Sequence, residues 1–395
     1  MLIKGTMKRI VIIVKRPLAK RDMERFGIDI ALARGFSVTL FDLSEMLHPN
    51  LDNAVRFGPD VPDLDIRRLS HRRQLPELAR IARKADLVVA GISSSGLSRL
   101  VLPVFHALGK VGAPYLVMAP QPIPFTAPSM QTGRLGALIR RLRSFDPLTS
   151  LLTRMPPPLL GIHHAAHVVH GSLAAASIRN NLVGPDTKVI ATHSWDYDTL
   201  LRAVPSEAAA DLPQAVYLDQ YLPFHPDTIA MGYRAPDPAL HYRQLEGLFR
   251  RIEAEYGLEV VIAAHPRADY GDKPFAYPGR RVLFGRTAEL IAQSRLVLGY
   301  VSTALGIAAA LNKPIGLFAS QDMLNCHSMY PIAVDSIARA LGTPARSQDD
   351  PESVPLAGLL DHDRAAYAAF VAHYMRHPDD PGLPLWETVF NATLA

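Results

Sequence analysis

Residues 258–270 read LEVVIAAHPRADY, and residues 279–320 read GRRVLFGRTAELIAQSRLVLGYVSTALGIAAALNKPIGLFAS. Positions 258–264 form an apolar run of strand length that stops at His265-Pro266-Arg267. Positions 281–284, 296–300 and 315–318 repeat that pattern. Between them, 287–294 and 304–311 carry helical apolar spacing, the second stopped by Asn312-Lys313-Pro314. Strands that are apolar throughout are buried on both faces, as in a parallel sheet covered by helices. Polar residues gather just past the carboxyl ends of these strands, where open α/β sheets bind their ligands.

Two of those strand ends carry chemistry. Ser302 and Thr303 stand where a strand hands over to a helix, and free N–H groups, a helix dipole and two hydroxyls favour an anion there. The same residues also suit a plain N-cap. His265 is expected to end the neighbouring strand, within reach of a phosphate oxygen, although His-Pro also terminates strands for steric reasons alone. Together at one sheet edge, the two corners point to a ligand site.

The whole chain sets limits. Its 395 residues allow two domains with sizeable cores. Lys and Arg (42) exceed Asp and Glu (37) by five, an excess that suits an anionic substrate or a membrane surface and does not require nucleic acid. Cys326 is the only cysteine, which excludes an intrachain disulfide and a cysteine metal cluster. The N-terminus lacks the apolar core and cleavage site of a signal peptide, and no window has the roughly 20 apolar residues of a membrane span. A cytoplasmic protein is the expectation.

The N-terminal half alternates strand and helix: strands at 9–14, 37–42, 86–90 and 115–119, with helices at 21–34, 75–84 and up to about Leu108. Residues 48–67 are polar and read as a loop. This is a doubly wound domain without GxGxxG, so a dinucleotide fingerprint is absent. The turn Ser93-Ser94-Ser95 offers hydroxyls to a sugar or anion, or simply a flexible cap. In 131–154, Arg134, Arg140, Arg141 and Arg143 flank an apolar helical face. That segment suits anionic lipid, or else a surface helix with solvated arginines. His163, His164, His167 and His170 lie on both faces of a strand at 166–170 and make a poor metal set. A strand at 188–192 runs into His193-Ser194-Trp195-Asp196-Tyr197-Asp198, whose two acids either cap a helix from Thr199 or face a cleft.

Residues 205–213 read as an interdomain linker, which divides the chain into domains 1–204 and 205–395. The strand 215–218 delivers Asp219, whose carboxylate at the sheet edge suits a base or a nucleophile, or fixes its own loop by accepting backbone N–H bonds. An amphipathic helix spans 240–256, and the part from Ile332 onward reads as helical, with Pro384-Leu385-Trp386 leading a last segment back over the first domain.

Two doubly wound domains with a nucleotide-type site in the second resemble the GT-B glycosyltransferases, whose domains face a central cleft. His265-Pro266 followed by Ser302-Thr303 resembles the paired motifs of bacterial sialyltransferases. HSWDYD (193–198) with YLDQYLPFHPD (217–227) looks closer to the retaining β-Kdo transferases of lipopolysaccharide and capsule assembly, and the sialyltransferase Asp/Glu-Asp-Gly motif is missing. The resemblance implies a CMP-activated 2-keto sugar acid as donor, a glycan or glycolipid acceptor, and no cofactor. His265 would assist departure of the CMP phosphate, with Pro266, Thr287, Ser302 and Thr303 around it. Arg267 or Arg286 would pair with the sugar carboxylate, on the chemistry of an Arg fork. Asp219 would be the nucleophile of a retaining enzyme or the base of an inverting one, with Asp196 and Asp198 in reserve. Asp196-Tyr197-Asp198 has DxD spacing but lies outside the expected donor domain, so no metal is expected. The alternatives are a GT-B-fold sugar-nucleotide epimerase that hydrolyses its nucleotide, and a non-catalytic membrane-associated scaffold.

Overall fold

The computed structural model describes residues 7–18, 20–48, 64–93, 96–119, 124, 147–203, 211–225, 228, 233–327 and 329–394. These residues form two compact units, divided between Trp195 and Asp196. The first holds the described residues up to 119, those from 147 to 195, and 377–394; the second holds 124 and the described residues from 196 to 376.

The first unit is a seven-stranded parallel sheet in the order β3-β2-β1-β4-β5-β6-β7. Its strands are β1 (Arg9–Val14), β2 (Ser37–Asp42), β3 (Asp65–Arg68), β4 (Leu87–Ala90), β5 (Tyr115–Ala119), β6 (His167–His170) and β7 (Lys188–Ala191). In β1, Val11 and Ile13 enter one core while Ile10, Ile12 and Val14 enter the other. Successive side chains point to opposite faces, so a run of β-branched residues feeds both layers at once. The second of these cores is completed by the helix Leu385–Leu394, through Leu385, Trp386, Val389, Phe390 and Leu394. Trp386 is 0% exposed and donates its indole N–H to Arg25 O at 2.9 Å. It lies over Gly27, where an added Cβ would sit 2.2 Å from the indole and where φ is +61°. Glycine meets both demands, and it splits the helix expected at 21–34 into Lys20–Arg25 and Ile28–Ala33.

The second unit is a six-stranded parallel sheet in the order β10-β9-β8-β11-β12-β13. Its strands are β8 (Leu212–Leu218), β9 (Glu259–Ala264), β10 (Val282–Phe284), β11 (Ser294–Gly299), β12 (Ile315–Ala319) and β13 (Ala345–Ser347). Val216, Leu218, Val261 and Ala263 enter one core, and Ala215, Tyr217, Val260 and Ile262 the other. Two Rossmann-like sheets in one chain make this a GT-B fold.

Several readings from sequence are corrected. The expected loop 48–67 contains the start of β3, and the stretch beyond Ile332 contains β13; both are short, polar edge strands. β8 begins at Leu212, inside the expected linker. The helix after HSWDYD opens at Trp195, so both acids stand in its first turn, where negative charge meets the positive end of the helix dipole. β9 and β11 are not neighbours, because β8 lies between them.

Candidate functional site

The strand order of the second sheet reverses at β8. β9 and β10 extend from it on one side, and β11, β12 and β13 on the other. Ligands of doubly wound sheets bind beyond the carboxyl ends at such a point. Three segments leave the sheet side by side there: Asp219 to Phe224 after β8, His265 to Tyr270 after β9, and Tyr300 to Ala304 after β11.

Asp219 stands at the sheet edge as expected, but it is only 6% exposed and its oxygens are occupied. Oδ1 accepts the Tyr221 N–H at 3.0 Å and the Tyr277 hydroxyl at 2.9 Å, while Oδ2 accepts the Tyr270 hydroxyl. Tyr221 takes a left-handed conformation (φ 54°) to present that N–H, and its own hydroxyl donates to Asp269 O at 2.6 Å. A bulky residue in that region is strained, and the bonds at both of its ends offset the cost. The rings pack on one another: Tyr221 on Tyr270 with centroids 5.4 Å apart, Tyr270 on Tyr277 at 5.7 Å, and Tyr242 on Tyr277 at 5.1 Å. Burial raises the Asp219 pKa, against hydrogen bonds from Tyr270, the Tyr221 backbone and Tyr277 that favour the carboxylate. Burial and the Asp219 charge raise the Tyr270 and Tyr277 pKa values, so both phenols stay protonated and donate. This is the loop-fixing arrangement weighed from sequence, extended from backbone N–H groups to phenols. Three of about four lone-pair positions of the carboxylate are thus taken by the protein's own donors, which fixes Asp219 within its loop.

His265 follows β9 and is half-buried. Its Nδ1 accepts the Arg267 N–H at 3.2 Å, so the neutral ring carries its proton on Nε2 and presents a donor there. The His225 ring meets it edge to face, with centroids 4.8 Å apart. His225 follows the helical turn Leu222–Phe224 after β8 and was not singled out from sequence; its place in YLDQYLPFHPD was the available signal. Pro266 is exposed and Arg267 is half-buried.

Ser302 and Thr303 follow β11, both half-buried. The Ser302 Oγ accepts the Ala304 N–H at 3.3 Å, and the helix proper is Leu305–Ala310, one residue later than expected. Arg286 and Thr287 open the helix Thr287–Gln293 beyond β10, on the edge of the sheet. The exposed Arg286 fork is taken by Glu289, with Nε to Oε2 at 2.7 Å, so it is not held ready for a sugar carboxylate. Asp196 and Asp198 belong to this unit, contrary to the domain expected from sequence. Asp198 is buried and pairs with Arg202 at 2.9 Å, whereas Asp196 is half-buried.

In the first unit, the Ser93 hydroxyl is buried and donates to Gly96 O; Ser94 and Ser95 lie outside the described residues. Of the basic segment, 131–146 also lies outside them. Among the described residues no group of three His, Cys, Asp or Glu could hold a metal ion, and no helix is long and apolar enough to cross a membrane.

No protein-family model and no curated protein matches the chain. Solved structures share its chain path at low identity. Acinetobacter baumannii MurG is 12% identical, covering 92% of this chain and 94% of its own, with a TM-score of 0.43. The UDP-GlcNAc 2-epimerase of Methanocaldococcus jannaschii is 14% identical over 98% of this chain and 100% of its own, TM-score 0.45. The wall teichoic acid polymerase TagF is 12% identical over 98% and 87%, TM-score 0.49. Likenesses of this size concern the chain path and assign no activity.

Proposed function

We propose that the chain is a glycosyltransferase whose second unit holds a nucleotide-activated sugar, the donor being CMP-linked Kdo or a related 2-keto sugar acid. The observation that carries the reading is the grouping of the His265 and Ser302–Thr303 segments on either side of β8, at the switch point of the sheet. The CMP and Kdo parts rest on the resemblance of the ordered motifs, as does a lipopolysaccharide or capsule glycan as acceptor. In this reading, the Nε2–H of His265 donates to a phosphate oxygen as the bond to the sugar breaks. The hydroxyls of Ser302 and Thr303 hold the same phosphate and stabilise its growing charge. Arg267, which follows His265 at the same strand end, serves the sugar carboxylate. Asp219 acts through its loop as a positioning residue, with Asp196 and Asp198 the reserves for the acid at the anomeric centre.

Thermal shift against CMP, UDP and GDP tests the donor. A nucleotide present at a hundredfold excess over Kd stabilises by about 2.7 kcal/mol. CMP is expected to act, and His265→Ala to weaken it. Stabilisation by UDP or GDP but not CMP overturns the donor; no stabilisation by any nucleotide overturns the transferase reading.

A further inference from the structure

Large apolar side chains of the first unit stand out into solvent on three segments that adjoin one another. The short helix Pro147–Leu152 sends Leu152 into the core and leaves Leu148 and Leu151 outside, 50% and 54% exposed. The helical turn Pro157–Leu160 leaves Leu159 74% exposed. Leu100 and Ile178 are exposed as well. The Arg99 N–H donates to Thr149 Oγ1 at 3.3 Å, which sets Leu100 beside the helix Pro147–Leu152. Asn181 donates through Nδ2 to Leu152 O at 2.7 Å and to Met155 O at 2.9 Å, while its Oδ1 accepts the Leu97 N–H at 2.9 Å. Gly96, at φ +102°, lets the chain pass this asparagine: a Cβ there would lie 2.5 Å from Asn181 Oδ1. One side chain thus ties 97–100, 147–160 and the turn after Ile178 into a single face. Scattered exposed leucines need no explanation, but a group gathered in this way marks an interaction surface.

The charge on the same segments has one sign. Residues 97–110, 147–160 and 173–181 contain no Asp or Glu, and they hold Arg99, Lys110, Arg154 and Arg179, all exposed. Over 87–185 the sequence has eight Lys or Arg against one acid, Asp146, an excess of seven where the whole chain has an excess of five. The positive balance of the protein is therefore concentrated in this quarter of it. A partner for the face must be anionic and must also close round leucines that project singly, because side chains this exposed line no groove for a partner helix or strand. A fluid layer with phosphate at its surface and hydrocarbon beneath meets both demands.

We infer that this face of the first unit docks on an anionic lipid bilayer, with Leu148, Leu151 and Leu159 entering the interface and Arg154 and Arg179 meeting lipid phosphates. The inference does not rest on the transferase reading.

Co-sedimentation of the full chain with vesicles of phosphatidylcholine containing about a third phosphatidylglycerol tests it. Binding is expected to these vesicles and to be far weaker to phosphatidylcholine alone. Leu148→Gln with Leu151→Gln should weaken it by about tenfold or more, since apolar area is lost from the interface. Arg154→Gln with Arg179→Gln should weaken it by about fivefold per charge, and that part should fade in about 0.5 M salt. All four side chains are exposed, so both double variants should keep the wild-type unfolding temperature. The inference is refuted if the chain stays in the supernatant with anionic vesicles, if neutral vesicles bind it equally, or if the leucine variant binds like wild type. It is also refuted if sedimentation velocity without lipid shows a dimer that the leucine variant dissolves, because the face then belongs to a second copy. The vesicles carry no glycan and no nucleotide is added, so none of these outcomes depends on whether CMP binds the second unit.

Discussion

Replacing Asp219 separates a positioning role from a chemical one. In Asp219→Ala the Tyr221 N–H and the Tyr270 and Tyr277 hydroxyls lose their acceptor together. A buried donor left unsatisfied costs about 1–3 kcal/mol, and three of them, coupled through one carboxylate, sum to about 3–5 kcal/mol. With a urea slope of about 2 kcal/mol/M, the unfolding midpoint of the second unit should fall by about 2 M. Asp219→Asn keeps one acceptor oxygen and removes a buried charge, so its cost should be about 1 kcal/mol. The pH dependence carries a sign as well. Because burial raises the folded-state pKa, the contribution of Asp219 to stability is full below the ordinary aspartate range and is lost as pH rises through the folded value. Asp219→Asn should flatten that loss. Urea titrations of wild type and both variants, read by tyrosine fluorescence at several pH values, measure all of this. An Asp219→Ala protein with an unchanged midpoint and abolished transfer would refute the argument and return Asp219 to the reaction centre.

Three other outcomes are expected. Burial pushes the His241 pKa down to about 4 from the ordinary 6.5, so stability is full above the upper value and lost as pH falls between them, by about 3 kcal/mol; His241→Gln should lose the steepness of this decline in urea titrations, and an unaltered pH profile would contradict it. Trp386→Ala should cost the first unit about 3–5 kcal/mol; calorimetry should lower that unit's transition, and a shift in the second unit's transition alone would contradict the packing. His265→Ala should weaken CMP binding by about 1.5–3 kcal/mol, the worth of a hydrogen bond to a charged group, and CMP titration calorimetry showing an unchanged Kd would remove His265 from the phosphate site.

The central strands were legible because their chemistry is local. RIVIIV at 9–14, SVTLFD at 37–42 and YLVMA at 115–119 are found at the bounds read from sequence. DIRR in β3 and ARS in β13 were not, since an edge strand needs no apolar face and its polar residues resemble a loop. Strand order was also hidden: nothing in 258–320 announces that β8, which precedes them all, slides between β9 and β11. The same distance in sequence concealed the cage. From sequence Asp219 suited a base or nucleophile as well as a loop-fixing acid, because its donors Tyr270 and Tyr277 arrive some fifty positions later and become neighbours only through the sheet. The His265 and Ser302–Thr303 corners could be read in advance, because strand termination and helix initiation are written in the residues themselves.

The helix Leu385–Leu394 has a consequence for the order of events on the ribosome. The core that Ile10, Ile12 and Val14 help to build stays open on one side until residues translated after the whole second unit have emerged. The described residues of the second unit, by contrast, all precede that helix, so this unit can mature first. Synthesis therefore exposes the apolar back of β1 and β4 for most of its duration, which makes that surface the natural claim of a holding chaperone and the first casualty of premature termination.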